Sequence, residues 1–276
     1  MTHKKLIRNC ISIATGLMIF SSCQKVIELD LNSASPEIVI EGNLSNLLGP
    51  YTIALSKTVN FSESNTFPPC TGAAITINDN AGNSEVLTES SPGIYKTNTL
   101  QGIVGRAYTI IVTSNGKEYQ AVSNIPAPVT IDSLTVITSS GMGGPGMGGP
   151  GNVNKTIEVK FTDPAGIDNY YRLEEMVNGK LINNISITSD RLRDGEKFKE
   201  SMRGGSDIRL QIGDTVTVLL QSIDKNVYEY FRTLNQSSGG GGFTSSAPAN
   251  PTSNLSNGAL GYFNAHSVTS KTVIIQ

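Results

Sequence analysis

The chain has 276 residues, 21 Lys+Arg against 23 Asp+Glu, a formal net charge of -2, no tryptophan, three cysteines and two histidines. So balanced a chain carries no basic stripe for nucleic acid. So few thiols and imidazoles leave no clustered ligand spacing for zinc and almost no base for nucleophilic catalysis.

At the amino terminus, Lys4, Lys5 and Arg8 precede a short apolar run from Cys10 to Phe20, broken only by Ser12, Thr15 and Gly16. That is the layout of an export signal. A membrane-spanning helix needs about 20 apolar residues, and the polar pair Ser21-Ser22 arrives after roughly half that length. Small residues at 21 and 22 directly before Cys23 suit a peptidase that cleaves ahead of a lipidated thiol, with Phe20 where such boxes usually have Leu. The expectation is a lipoprotein signal peptide over residues 1–22, lipidation at Cys23 and a tether over 23–35. Each buried methylene contributes about 0.8 kcal/mol, so a multiply acylated Cys23 would be a lasting membrane anchor. Residues 1–22 hold three of the 21 basic residues and no acidic ones, which leaves 18 Lys+Arg against 23 Asp+Glu. Cys10 leaves with the signal, so Cys70 has no partner for an internal disulfide and reads as a small buried or loop residue.

Beyond the tether the apolar residues alternate, as in Tyr51-Ile53-Leu55 and Tyr108-Ile110-Val112, and period two means half-buried strands. Strands are expected near 37–42, 51–56, 73–78, 84–88, 94–98, 106–114 and 117–123. Seven short strands with a turn about every ten residues form the pattern of an immunoglobulin-like sandwich. Ile125-Pro126-Ala127-Pro128 then breaks pairing, because proline has no N–H for a ladder. Further strands are expected near 131–138, 155–162, 169–177, 180–188, 207–212, 215–222, 259–267 and 271–275. Asn178-Gly179 suits a type I′ turn, and Gly213-Asp214 is read as a second two-residue hairpin turn. Asp224 is a suitable N-cap for a helix near 225–236, where Val227, Tyr230, Phe231 and Leu234 share one face and would cover a face or edge of a sheet. The fold class is therefore all-β: two consecutive antiparallel β-sandwich domains of immunoglobulin or fibronectin type, at 36–127 and 129–276. The second carries one short helix and flexible Gly-rich loops at 139–152 and 237–254.

Chemistry-bearing constellations are sparse. His266 is the one imidazole outside the signal, and its alternating neighbours place it on a strand, a structural rather than a catalytic setting. Asn78-Asp79-Asn80-Ala81-Gly82-Asn83 resembles a calcium loop but lacks acidic residues at alternate positions and a closing Glu, so a hairpin turn is expected. The carboxylate pairs Asp163 with Asp168 and Glu174 with Glu175 would serve glycoside hydrolysis only if the fold set them about 5 to 9.5 Å apart across a cleft. Neither Gly-rich run is followed by the Lys-Ser/Thr of a phosphate loop. No catalytic, cofactor-binding or metal-ligating residue is assigned.

Several segments together are similar to one known family. They include Cys23-Gln24-Lys25-Val26-Ile27-Glu28-Leu29-Asp30-Leu31, Ile38-Val39-Ile40-Glu41-Gly42, Gly105-Arg106-Ala107-Tyr108 and Ile131-Asp132-Ser133-Leu134. Further on come Phe161-Thr162-Asp163-Pro164, Asn169-Tyr170-Tyr171-Arg172, Ser222-Ile223-Asp224-Lys225 with Tyr228, and Asn257-Gly258-Ala259-Leu260-Gly261-Tyr262-Phe263. The chain resembles the Bacteroidota lipoproteins grouped as domain of unknown function 4249. The resemblance implies an outer-membrane lipoprotein encoded beside a TonB-dependent transporter barrel, and it assigns no catalytic residues. The expected role is non-enzymatic binding or accessory work with that barrel. A surface hydrolase acting on glycan or peptide and a structural adhesion module stand as alternatives.

Overall fold

The computed structural model describes residues 35–60, 66–140, 153–202, 209–238 and 250–276. The expected signal peptide, Cys23 and the tether up to residue 34 lie outside the described residues, as do residues 141–152 and 239–249 of the two Gly-rich loops.

Within Pro36–Gln276, a single compact unit, alternation becomes strand almost wherever it is expected. The strands are β1 (Ile38–Ser45), β2 (Thr52–Lys57), β3 (Ala74–Asp79), β4 (Ser84–Val86), β5 (Thr88–Ser91), β6 (Ile94–Lys96), β7 (Ala107–Ser114) and β8 (Lys117–Asn124). After the Pro126–Pro128 break come β9 (Ile131–Ser140), β10 (Val153–Thr162), β11 (Tyr170–Val177), β12 (Lys180–Leu181), β13 (Ser186–Ser189), β14 (Lys197–Met202) and β15 (Thr215–Ile223). Helix α1 (Lys225–Ser238) and the long β16 (Leu260–Ile274) finish the chain. The all-β, sandwich-like class holds.

One nine-stranded sheet, in the order β12-β11-β15-β16-β1-β2-β6-β5 with β13 also on β11, runs through both expected halves. A four-stranded sheet β4-β3-β7-β8 covers one part of it and a three-stranded sheet β14-β10-β9 the other. Two apolar cores result, and they change over between Ile125 and Val129. The first core, around Ile40, Ile53, Ile77, Tyr95, Tyr108 and Ile110, also takes Leu255, Ala259, Phe263 and Ala265 from the end of the chain. The second gathers Ile157, Val159, Phe161, Tyr171, Leu173, Phe198, Val216 and Val218. The domains expected at 36–127 and 129–276 are thus joined by shared backbone. Residues 260–266 of β16 pair in parallel with β1, and residues 267–274 pair antiparallel with β15.

Several local readings differ. The expected strand 180–188 is broken into β12 and β13, because only Glu174 and Glu175 of β11 lie opposite residues 182–185. The stretches 259–267 and 271–275 form one continuous strand, because β1 and β15 supply hydrogen bonds on successive halves of it. Arg209 to Ile212, the described end of the expected strand 207–212, is not a strand, and Ile212 is 78% exposed. Gly213-Asp214 therefore turns no hairpin; Gly213 N donates to Ile275 O instead. The missing strand is β14, Lys-Phe-Lys-Glu-Ser-Met, which buries Phe198 and Met202 while Lys199 pairs Glu158 of β10 at 2.8 Å. Charge along an edge strand conceals its alternation.

Asn178-Gly179 does make the tight turn between β11 and β12, with φ of 50° and 78°. Asp224 caps α1 as expected: its Oδ1 accepts from Val227 N at 3.0 Å, while its Oδ2 accepts from the Ser123 hydroxyl and from Asn124 N at 3.3 Å. The helix lays Val227, Tyr230 and Phe231 on Ile223 and Tyr262, so it covers the outer face of the long sheet. Asp224 fastens both the helix start and its neighbour β8. Asp224→Ala should therefore cost about 2 kcal/mol, the upper end of the N-cap range, measured as a lowered urea midpoint at unchanged slope.

Candidate functional site

Three segments meet at one end of the second core. Pro164 follows Asp163, stops the β10 ladder and opens the loop 163–169. The loop 190–196 connects β13 to β14, and the first two turns of α1 complete the group. The two loops are stitched together by backbone donors. Asn169 N donates to Asp190 Oδ2 at 2.7 Å and Asp190 N to Asn169 O at 3.2 Å. Gly195 N donates to Asp163 Oδ2 at 2.9 Å and Gly166 N to Asp194 Oδ1 at 2.8 Å. Four carboxylate–backbone or backbone–backbone bonds thus hold the loops in one arrangement before any ligand arrives.

Between them and the helix lies a cleft of about 640 Å³. Its loop wall presents Asp168, Tyr170, Ser189, Asp190 and Arg191; its helix wall presents Lys225, Tyr228, Glu229 and Arg232. Tyr170 and Tyr228 face each other with ring centroids 5.1 Å apart. A smaller cavity of about 380 Å³ adjoins, sharing Asp168, Tyr170 and Lys225 and reaching Gly105, Asn124 and Pro126.

The charges on these walls are placed with purpose. Burial pushes the Asp190 carboxyl up, and the nearby Asp163, Asp168 and Asp194 push it further, while the bond from Asn169 N opposes them. The Tyr170 hydroxyl is raised by burial and then by Asp168, Asp190 and Glu229. Arg232 is held by Glu229 through Nε at 2.7 Å.

Asp163, Asp190 and Asp194 each offer one carboxylate oxygen within 4.8 Å of the others. Such a group has the chemistry of a hard-cation site. Here, however, each acid already accepts from a loop N–H, and Asp163 takes the Tyr171 hydroxyl as well. Closing the loops takes both oxygens of Asp163 and one oxygen each of Asp190 and Asp194.

The four acids considered for glycoside hydrolysis have separate settings. Asp163 is 3% exposed and bonded inside, whereas Asp168 is exposed on the cleft. Glu174 and Glu175 are neighbours on a strand and so point to opposite faces. Glu174 bonds Arg172 at 2.7 Å and Gln221 at 2.9 Å, while Glu175 lies in the second core with both oxygens unpartnered and its carboxyl raised by burial. His266 is on β16 as expected, 6% exposed, with Nδ1 3.4 Å from Asn264 O. Burial, aided by Arg172 and opposed by Asn264 O, holds it neutral at about 4. Cys70 is buried, with Sγ 3.2 Å from Ser114 Oγ. The calcium-like segment is a hairpin turn whose Asp79 accepts from Ala81 N, Asn83 N, Asn83 Nδ2 and Arg106. Burial raises that carboxyl, and the four donors outweigh it, leaving it at about 2.

Sequence reasoning reached Asp168 but missed Asp190, Arg191, Tyr228 and Glu229. Tyr228 enters the sequence reading through the family resemblance and Glu229 as part of a helix, neither as a site residue, and Asp190-Arg191 has no spacing that marks a site until the loop at 163–169 is laid beside it.

No curated protein matches the chain. Among solved structures, the adhesin InvE of Yersinia pseudotuberculosis is matched over 67% of this chain and 55% of that one, at 15% identity and a TM-score of 0.21. The chain thus spans little more than half the length of that adhesin, and so loose a likeness decides nothing about fold or role. A domain of unknown function, DUF4249, matches residues 24–272, nearly the whole described body and the segment before it. The chain belongs to the DUF4249 family.

Proposed function

We propose that the protein is a membrane-anchored lipoprotein of the cell envelope that binds its ligand without turning it over, held to the outer membrane by lipid on Cys23 and working with a TonB-dependent transporter barrel. The cleft between α1 and the loops 163–169 and 190–196 carries the binding part. Its walls are fixed in advance by hydrogen bonds, which removes the ordering cost of capture. Proton transfer in such a cleft needs a group free to gain and lose a proton near the operating pH. Among the described residues His266 is buried on β16 and neutral, Asp163 is engaged by Tyr171 and Gly195, and Asp190, the raised carboxyl of the cleft, is tied through one oxygen to Asn169 N.

The tether rests on the leader pattern that ends at Cys23, and the barrel on the family resemblance. Fractionation tests the first: the wild-type protein should follow the outer membrane, and Cys23→Ala should leave it, with its signal uncleaved. Normal processing and unchanged membrane retention of that variant would end the lipid anchor. Purification after mild detergent extraction tests the second. Recovery of a transporter barrel in stoichiometric yield supports the reading, and repeated recovery without any barrel removes it.

A further inference from the structure

The walls of the cleft carry three acids, Asp168, Asp190 and Glu229, and three bases, Arg191, Lys225 and Arg232. They are not equally free. Glu229 and Arg232 satisfy each other at 2.7 Å, which removes one charge of each sign. Asp190 is 3% exposed and spends one oxygen on Asn169 N. Arg191 and Lys225 are exposed and have no hydrogen-bond or ion-pair partner among the described residues, and Asp168 accepts no hydrogen bond there. Two acids and two bases are therefore left to a ligand.

A purely anionic ligand would meet Asp168 and Asp190, and a purely cationic one would meet Arg191 and Lys225. Either would lose to like-charge repulsion what it gained on the other side. A ligand with both an ammonium and a carboxylate satisfies all four. The volume, about 640 Å³, falls in the range of small-ligand sites. The paired rings of Tyr170 and Tyr228 add an aromatic surface, and Asp168, Asp190 and Glu229 all act on the Tyr170 hydroxyl, so an ammonium drawn to these acids meets that ring. Two large apolar side chains stand out on the same two loops: Ile167, 58% exposed, and Leu192, 92% exposed. Exposed aliphatics beside a charged cleft fit a ligand whose own side chains are apolar.

We infer that this cleft is a receptor site for a short peptide with free ends, its ammonium taken by Asp168 and Asp190 beside the tyrosines and its carboxylate by Arg191 and Lys225. The inference rests on the binding role proposed above and names the ligand class. A free amino acid shares the same two charges, so the test separates the two sources.

Calorimetry on the full chain would compare Leu-Gly-Leu, its N-acetylated form, its C-amidated form and free leucine. The tripeptide should bind, each blocked form should bind at least ten-fold more weakly, and leucine should be weaker than the tripeptide. Tighter binding of leucine than of the tripeptide would overturn the peptide assignment. Asp168→Asn should reproduce the acetylation loss and leave the acetylated peptide unaffected. Arg191→Gln with Lys225→Gln should do the same for the amidated peptide. All three side chains are exposed, so folding is not at stake. Equal affinity for all forms, indifference of the variants, or no binding at millimolar concentration would overturn the assignment. Calcium binding that survives Asp168→Asn but not Asp194→Asn would reassign the acids to a cation. Loss of the barrel in co-purification would leave these results untouched, and loss of peptide binding would leave the tether and barrel untouched.

Discussion

Gly261→Ala should abolish folding or lower stability by more than about 4 kcal/mol, the range reserved for severe core damage. Gly261 sits where β16 first pairs with β1, opposite Ile40, with φ of 91°. A Cβ added there would lie 2.1 Å from the Ile40 carbonyl oxygen and 3.0 Å from its nitrogen, so the intruding atom meets backbone, which cannot rotate away. The left-handed φ adds its own strain of roughly 1–2 kcal/mol. Relief would require the parallel register to part, and with it the packing of Phe263 and Ala265 into the first core. Gly258→Ala is the control. Its φ of 78° carries the same conformational strain, but nothing lies within 4 Å, so only about 1–2 kcal/mol should be lost. Urea unfolding of both variants separates the two costs, and similar losses would mean that the β1–β16 contact yields more easily than its geometry says.

A second large effect is set by His266. Unfolded, its imidazole titrates near 6.5; folded, it is held at about 4. Between those values the unfolded chain takes up a proton that the folded chain refuses. Stability from this group is therefore complete above pH 6.5 and falls as the pH drops towards 4, by a total on the order of 3 kcal/mol. The imidazole feels the positive charge of Arg172, lies beside Asn264 and is in register with Ser45 of β1, and none of these offers a negative charge to the protonated ring. His266→Asn keeps a donor near Asn264 O and cannot take up the proton. It should be less stable than wild type at pH 7, yet lose less between pH 7 and 4.5 in urea titrations. Equal losses in both proteins would show that the ring stays satisfied when charged.

The strands were legible because their residues obey a local rule. Ile75 and Ile77, or Tyr108, Ile110 and Val112, alternate regardless of partner, and the Asp224 cap is a contact within one turn. What could not be read was pairing across distance. Nothing in Leu260 to His266 announces that it lies in parallel beside Val39 to Ser45, so the halves looked like separate sandwiches. The candidate cleft was hidden for the same reason. Asp168 and Asp190 acquire a joint meaning only through the backbone bonds between Asn169 and Asp190. Glu174 and Glu175 illustrate the reverse error, since adjacency in a strand is separation in space.

The parallel neighbourhood of β1 and β16 also governs when the molecule can finish folding. Asn43 and Tyr262 are hydrogen-bonded across 219 positions of chain. Such a closure must meet most of its entropic penalty before any reward. The first core therefore stays open along β1 until Phe263 and Ala265 have arrived, so β1 to β8 are not a unit that closes apart from the rest of the chain.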